Sequence, residues 1–152
     1  MFDRILVPTD GSEHAEAAAA DAIELAADQG ATLHVISIAD PGPLGDVRLP
    51  GDAARPGEAL RERAAEFVDA VIERAEAAGV DATGTVREGS PPSTILEYAR
   101  EIDADLIVMG TRGQGGLHRM AVGSVADHVI RVGDVRVLVV EVDDRPRGED
   151  DE

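Results

Sequence analysis

The feature that most restricts the fold is an alternation of two kinds of segment along the 152 residues. Short apolar runs, among them Ile5-Leu6-Val7, Leu106-Ile107-Val108-Met109 and Val135 to Val142, have strand character, and alanine-rich stretches of helical period lie between them. Ala15, Ala18, Ala19, Ala22, Ile23 and Ala26 share a helical face between Ser12, the expected N-cap, and Gly30, the expected stop. Leu60, Ala64, Phe67, Val68, Val71, Ile72 and Ala75 repeat the pattern from Glu58 to Ala78, and Ile95, Leu96, Ala99 and Ile102 repeat it after Ser90-Pro91, a capping serine before a proline. The order β-α-β-loop-α-β-α-β-α-β predicts an α/β fold. Its form is an open five-stranded parallel sheet, doubly wound in the strand order 3-2-1-4-5, with helices on both faces in a Rossmann-like arrangement. Strands one and four are then neighbours, and a ligand crevice opens at their carboxyl ends. Pro8-Thr9-Asp10 and Met109-Gly110 are thereby expected at one site.

Residues 1–142 are expected to form one domain, a size that buries a substantial core. Asp81 to Glu88, polar and interrupted by Gly84, reads as an edge strand. Residues 40–57 hold four prolines and four glycines, which predicts a flexible loop. Residues 143–152 read as an acidic disordered tail.

Charge narrows the function classes. Thirty-one acids oppose fourteen bases, for a net charge of −17, and every base is arginine. Such a surface repels itself unless salt screens it, which points to a salt-loving source. It also excludes nucleic acid as a partner, because no basic patch is available to displace counterions. No run approaches the length of a membrane span and no signal peptide precedes the first strand, so the expected location is the cytoplasm. With no cysteine, thiolate chemistry and Cys-based zinc sites are excluded.

Val108 to Ser124 leaves a strand, passes Gly110, Gly113, Gly115, Gly116 and Gly123, and opens a helix. Glycines let main-chain N–H groups approach an anion, and the helix start adds free amides and the positive end of a dipole. A P-loop is excluded because there is no lysine, and GxGxxG fails because His118 stands at the third glycine. What remains is Gly110-x2-Gly113-x9-Gly123-Ser124.

In this motif and in the Pro8-Thr9-Asp10-Gly11-Ser12 turn, the chain resembles the universal stress protein family, whose ATP-binding subgroup carries G-x2-G-x9-G-S/T. The resemblance implies that Pro8, Thr9 and Asp10 border the adenosine and that the backbone of Ile38 contacts adenine. It further implies that Met109, Gly110, Arg112 and Gly113 form the first half of the loop, with Gly123, Ser124 and Val125 binding phosphate. Ser37-Ile38 stands where many relatives have His-Val. ATP is the implied cofactor, with ADP or AMP as alternatives and Mg2+ as a companion, and Val135–Val142 is the implied edge of a homodimer.

Read on its own chemistry, Asp10 only accepts hydrogen bonds, which suits ribose hydroxyls, an adenine amino group or a cation. Arg112 and Arg119 are the loop's cations. His14, His34, His118 and His128 lack metal-ligand spacing, and no GxSxG nucleophile occurs. No general base stands out and no catalytic residue is assigned, so the chain is at most a weak ATPase. The first reading is therefore an adenine-nucleotide-binding stress-response or signalling protein. The alternative is a nucleotide-free dimeric regulatory or scaffold protein whose glycine loop is structural. A flavin carrier is disfavoured because none of the three aromatics is expected at the crevice.

Overall fold

The structure, a computed structural model, describes residues 1–40, 56–111 and 124–142. In chain order its elements are β1 (Arg4–Pro8), α1 (Glu13–Gln29), β2 (Thr32–Ala39), α2 (Pro56–Ala77), β3 (Ala82–Glu88), α3 (Pro91–Glu101), β4 (Leu106–Gly110), α4 (Ser124–Val132) and β5 (Arg136–Val140). All pairings are parallel, and the sheet order is β3-β2-β1-β4-β5, as the alternation requires.

Successive side chains of a strand point to opposite faces, so each inner strand feeds two cores. Ile5, Val7, Leu33, Val35, Leu106 and Val108 pack with the alanines of α1 and with Val68, Val71 and Ala75 of α2. On the other face, Leu6, Ile36, Ile107 and Met109 meet Ile95, Leu96 and Ala99 of α3 and Ala126 and Val129 of α4. Burial on both sides is why β1 and β4 are uninterrupted apolar runs rather than alternating ones. The small side chains of α1 bring its axis close to the sheet.

β3 is an edge strand, and Gly84 has a packing role there. A Cβ on Gly84 would fall 2.2 Å from Val68 Cγ1, so the absent side chain is what lets α2 lie on the strand. Ser12 caps α1, its Oγ accepting from the Ala15 N–H at 3.1 Å, and Gly30 closes the helix at a left-handed φ of 68°.

Three expectations need correction. Pro56 and Gly57 belong to the first turn of α2 rather than to a loop, while 41–55 and the tail from 143 lie outside the described residues. Ser90 occupies the N-cap position of α3, but its side chain makes no capping bond. Pro91 and Pro92 follow it and carry no amide, so of the first three helical positions only Ser93 could donate to a cap. Val135 and the residues after Val140 fall outside β5, which is shorter than the apolar run suggested.

At the amino end of the sheet, the Asp105 carboxylate accepts from the main-chain N–H groups of Asp3 (2.8 Å) and Arg4 (2.9 Å), clamping β1 to β4. Those backbone bonds, from Arg4 first and then Asp3, hold its pKa below the usual carboxylate range. The native value being depressed, the clamp contributes fully above the ordinary aspartate range and is lost as pH falls through the lowered value. Asp105→Asn is therefore expected to melt about 1–3 °C below the parent at pH 7. The gap should close toward pH 3 in a thermal melt; a gap independent of pH would exclude the charged clamp.

Candidate functional site

The crevice is built from three strand ends and one helix. β1 ends at Pro8, and the turn after it is locked by side chains. Thr9 is 5% exposed and its N–H donates to the Ile36 carbonyl at 2.8 Å. The Gly11 N–H donates to Thr9 Oγ1 at 3.3 Å, and the Ser12 N–H donates to Asp10 Oδ1 at 3.0 Å. Two short-range side-chain turns thus follow one another, a chemistry that Thr and Asp supply by themselves. Asp10 is held half-buried at the mouth, with its carboxylate already oriented.

Pro8 also explains why the crevice opens. In a parallel ladder, alternate residues address opposite neighbours. The Arg4 carbonyl accepts from Asp105, so the even residues of β1 face β4 and the odd ones face β2. Pro8 therefore faces β4 and has no N–H to give it. The registered β1–β4 pairs are Ile5↔Leu106 and Leu6↔Ile107, whereas β1–β2 continues to Pro8↔Ile36. The two central strands part at their carboxyl ends.

Ile38 gains its role from the same alternation. Thr32 donates to Asp3 and Ile36 accepts from Thr9, so the even residues of β2 address β1; Leu33 and Ala39 bond on the β3 side. The N–H and C=O of Ile38 consequently aim past the end of β1, into the space that the chain vacates when it turns off at Thr9. Its side chain packs against the second core.

At the end of β4, the expected residues divide into groups. The Met109 side chain is 5% exposed in the second core, so only its main chain remains at the strand end. Gly110 is a close-approach glycine: a Cβ there would lie 2.7 Å from both the carbonyl carbon and the Cβ of His14. Its lack of a side chain is thus demanded by α1, with or without a ligand. Thr111 is buried, its N–H donates to the Val140 carbonyl, and its Oγ1 lies 3.2 Å from His14 Nδ1. The Val142 N–H also reaches His14 Nδ1, at 3.4 Å, so this ring ties α1 to the ends of β4 and β5. Ser124 opens α4 and Val125 packs against the second core. Arg112, Arg119, Gly113 and Gly123 lie outside the described residues.

One neighbour of the crevice escaped the sequence reading. Phe67 of α2 packs on the β1–α1 turn so closely that a Cβ on Gly11 would meet its ring at 2.3 Å. An aromatic ring therefore does stand beside the crevice, and the stated ground for setting aside a flavin carrier does not hold. The Arg63 guanidinium lies over this ring, 5.7 Å from its centroid. Arg63 and Phe67 are one helical turn apart, a spacing that was visible in the sequence but had no meaning until α2 was placed. Among the described residues, no group of three or more His, Asp or Glu could hold a metal ion. His128 is exposed on α4. No described helix is long and apolar enough to cross a membrane.

Comparison with known proteins agrees with this fold. The sequence model of the universal stress protein family matches residues 1–141. Universal stress protein MJ0531 of Methanocaldococcus jannaschii is 38% identical over 141 residues, covering 93% of this chain and 83% of that protein. Among solved structures, universal stress protein UspA from Lactobacillus plantarum superposes with a TM-score of 0.77 at 30% identity, covering 91% of this chain and 97% of that one. A universal stress protein in complex with cAMP gives 0.69 at 29% identity, covering 91% and 97% of the two chains. The universal stress protein from Archaeoglobus fulgidus in complex with dAMP gives 0.69 at 25% identity, with the same coverage.

Proposed function

The chain belongs to the universal stress protein family, and we propose that it binds an adenine nucleotide, physiologically ATP, as a stress-response or signalling protein. The observation that carries this reading is the main chain of Ile38, aimed into the notch that Pro8 and Thr9 leave beside Asp10. One residue there offers a donor and an acceptor side by side, the complement of adenine's ring nitrogen and amino group. Asp10 is placed to accept from ribose hydroxyls. The relatives solved with cAMP and dAMP support an adenylate as the ligand class.

In this reading the phosphates lie toward Gly113, Gly123 and the amides that open α4 at Ser124, where free N–H groups and the helix dipole favour an anion. Arg112 balances charge, Val125 flanks the phosphate end, and the main chains of Met109 and Gly110 close the floor. Magnesium would supply charge neutralisation at the phosphate end, carried by the nucleotide itself. In this reading ATP is held with slow hydrolysis or none. The protein acts in the cytoplasm of a salt-loving cell as a single domain over 1–142. It forms a homodimer through the edge strand β5, where Leu138 is 42% exposed.

Denaturing mass spectrometry of the protein purified in high salt is expected to release an adenylate. Asp10→Ala and Gly113→Val should release none and should weaken adenylate affinity at least about tenfold in calorimetry, the scale of a lost charge-assisted hydrogen bond. Failure of the parent to bind ATP, ADP or AMP would favour the second reading, a nucleotide-free dimeric regulatory or scaffold protein. One observation supports that alternative: the packing need for Gly110 exists without any ligand.

A further inference from the structure

The amino-terminal half of α2 brings a cation to the crevice. α2 connects two parallel strands, β2 and β3, so it runs against them and its amino end lies at the carboxyl end of the sheet. Phe67 is already level with Gly11, beyond the end of β1. Arg63 is four residues nearer the amino end, about 6 Å farther along the axis, and so stands over the mouth. Its guanidinium rests on the Phe67 ring, and its distance of 5.7 Å is within reach of a cation–π contact.

Among the described residues, Arg61 and Arg87, the other arginines at this end of the sheet, are already engaged. Arg61 pairs with Glu88 at 3.0 Å, and Arg87 pairs with both carboxylate oxygens of Glu101 at 2.6 and 2.8 Å. Arg63 makes no ion pair with a described residue. In a chain of net charge −17, a cation laid over the binding crevice is worth more to an electron-rich or anionic ligand than a carboxylate at that place would be. A guanidinium lying over a ring at this distance is weakly hydrated and remains able to stack on a second planar group.

We propose that Arg63 is a ligand-binding residue of the crevice that covers the base and sugar of the bound nucleotide, with Phe67 as the positioning residue beneath it. The inference rests on the nucleotide reading above. It assigns Arg63 to the base-and-sugar end because α2 lies over β2 and β3, on the Ile38 side of the crevice, whereas the glycine loop leaves β4 on the other side.

Calorimetric titration of the full chain in molar KCl, with AMP and adenosine as probes, tests it. Arg63→Gln should weaken both ligands by a similar factor, about five- to tenfold, because the lost contact is to parts they share. Arg63→Lys should recover part of the loss. Phe67→Leu should weaken both as well, and the double variant should fall short of the product of the single losses, which marks Phe67 as acting through Arg63 rather than through general destabilisation. Thermal melts of each variant provide the control, since a structural role would move melting temperature without this non-additivity. Unchanged affinity in Arg63→Gln overturns the proposal, as does a loss confined to AMP, which would place the guanidinium's effect at the phosphate. A parent that binds ATP but neither probe also overturns the proposal, because the base and sugar then carry too little affinity for a residue assigned to them; a parent that binds no ATP, ADP or AMP overturns the nucleotide reading itself and this inference with it.

Discussion

Gly110→Ala is expected to lower the melting temperature by roughly 6–12 °C, corresponding to about 3 kcal/mol. The obstacle to the new methyl group is the first turn of α1, where the carbonyl carbon of His14 would lie 2.7 Å away and its oxygen 2.8 Å away. A flexible side chain can swing aside, but a helix turn cannot. Relief would require α1 to lift from β4, and α1 carries Ala18, Ala19 and Ala22 into the core with no exposed area. The His14 link to Thr111 would stretch in the same movement. Gly57→Ala provides the contrast, because nothing lies within 4 Å of a Cβ there and its helical position favours alanine. That variant should match or slightly exceed the parent in differential scanning calorimetry. A Gly110→Ala protein melting within about 2 °C of the parent would show that α1 is not held against β4 as closely as described.

Raising KCl from 0.1 to 2 M is expected to increase the melting temperature by an amount on the order of 10 °C. The net charge of −17 places self-repulsion on the folded surface, and the screening length falls from about 10 Å to about 3 Å between tenth-molar and molar salt. Salt also weakens attractions, but those at risk are modest. The described ion pairs, Arg61–Glu88, Arg74–Glu16, Arg87–Glu101 and Arg131–Asp127, all have side chains at least 32% exposed, and such surface pairs contribute little. Repulsion among the unpaired carboxylates therefore decides the sign. Equal melting temperatures across the series would remove the salt-loving reading. Sedimentation velocity of the same molar-salt samples should show a dimer, and monomer alone would exclude assembly through β5.

Much of the architecture was legible because local chemistry and tertiary demand coincide. The apolar runs at β1 and β4 are continuous because both faces are covered, and the alanine period of α1 identifies its buried side without any coordinates. Ser12 and Gly30 bound α1 through rules that operate within a few residues, and their geometry is as expected. Ser90 shows the limit of such rules. A serine before a helix usually caps it, but the side chain of Ser90 makes no capping bond, and the prolines at the next two positions leave only the Ser93 amide as a partner.

The crevice was legible as a place and less so as a set of groups. Adjacency of Pro8-Thr9-Asp10 to Met109-Gly110 follows from strand order alone. What each residue presents depends on which way the ladder faces, and that is a property of pairing. Ile38 offers the opening only amide groups that every residue possesses, so its side chain could not announce it. Met109 proved to be a core side chain and Gly110 a packing glycine, although both sit where the glycine-rich segment of the sequence begins. Arg63 and Phe67 were passed over as ordinary helix residues because the segment joining α2 to β2 hides where the helix will start above the sheet.

The sequence by itself determined the element types, their order and hence the parallel sheet, because propensity, hydrophobic period and turn residues act over short distances. Only the tertiary structure decided which main-chain groups are left without a neighbouring strand, which glycines are pressed against another element, and which distant side chains lean over the opening. Those outcomes depend on the register of strands and the height of helices above them, and both are fixed by packing between segments far apart in the chain.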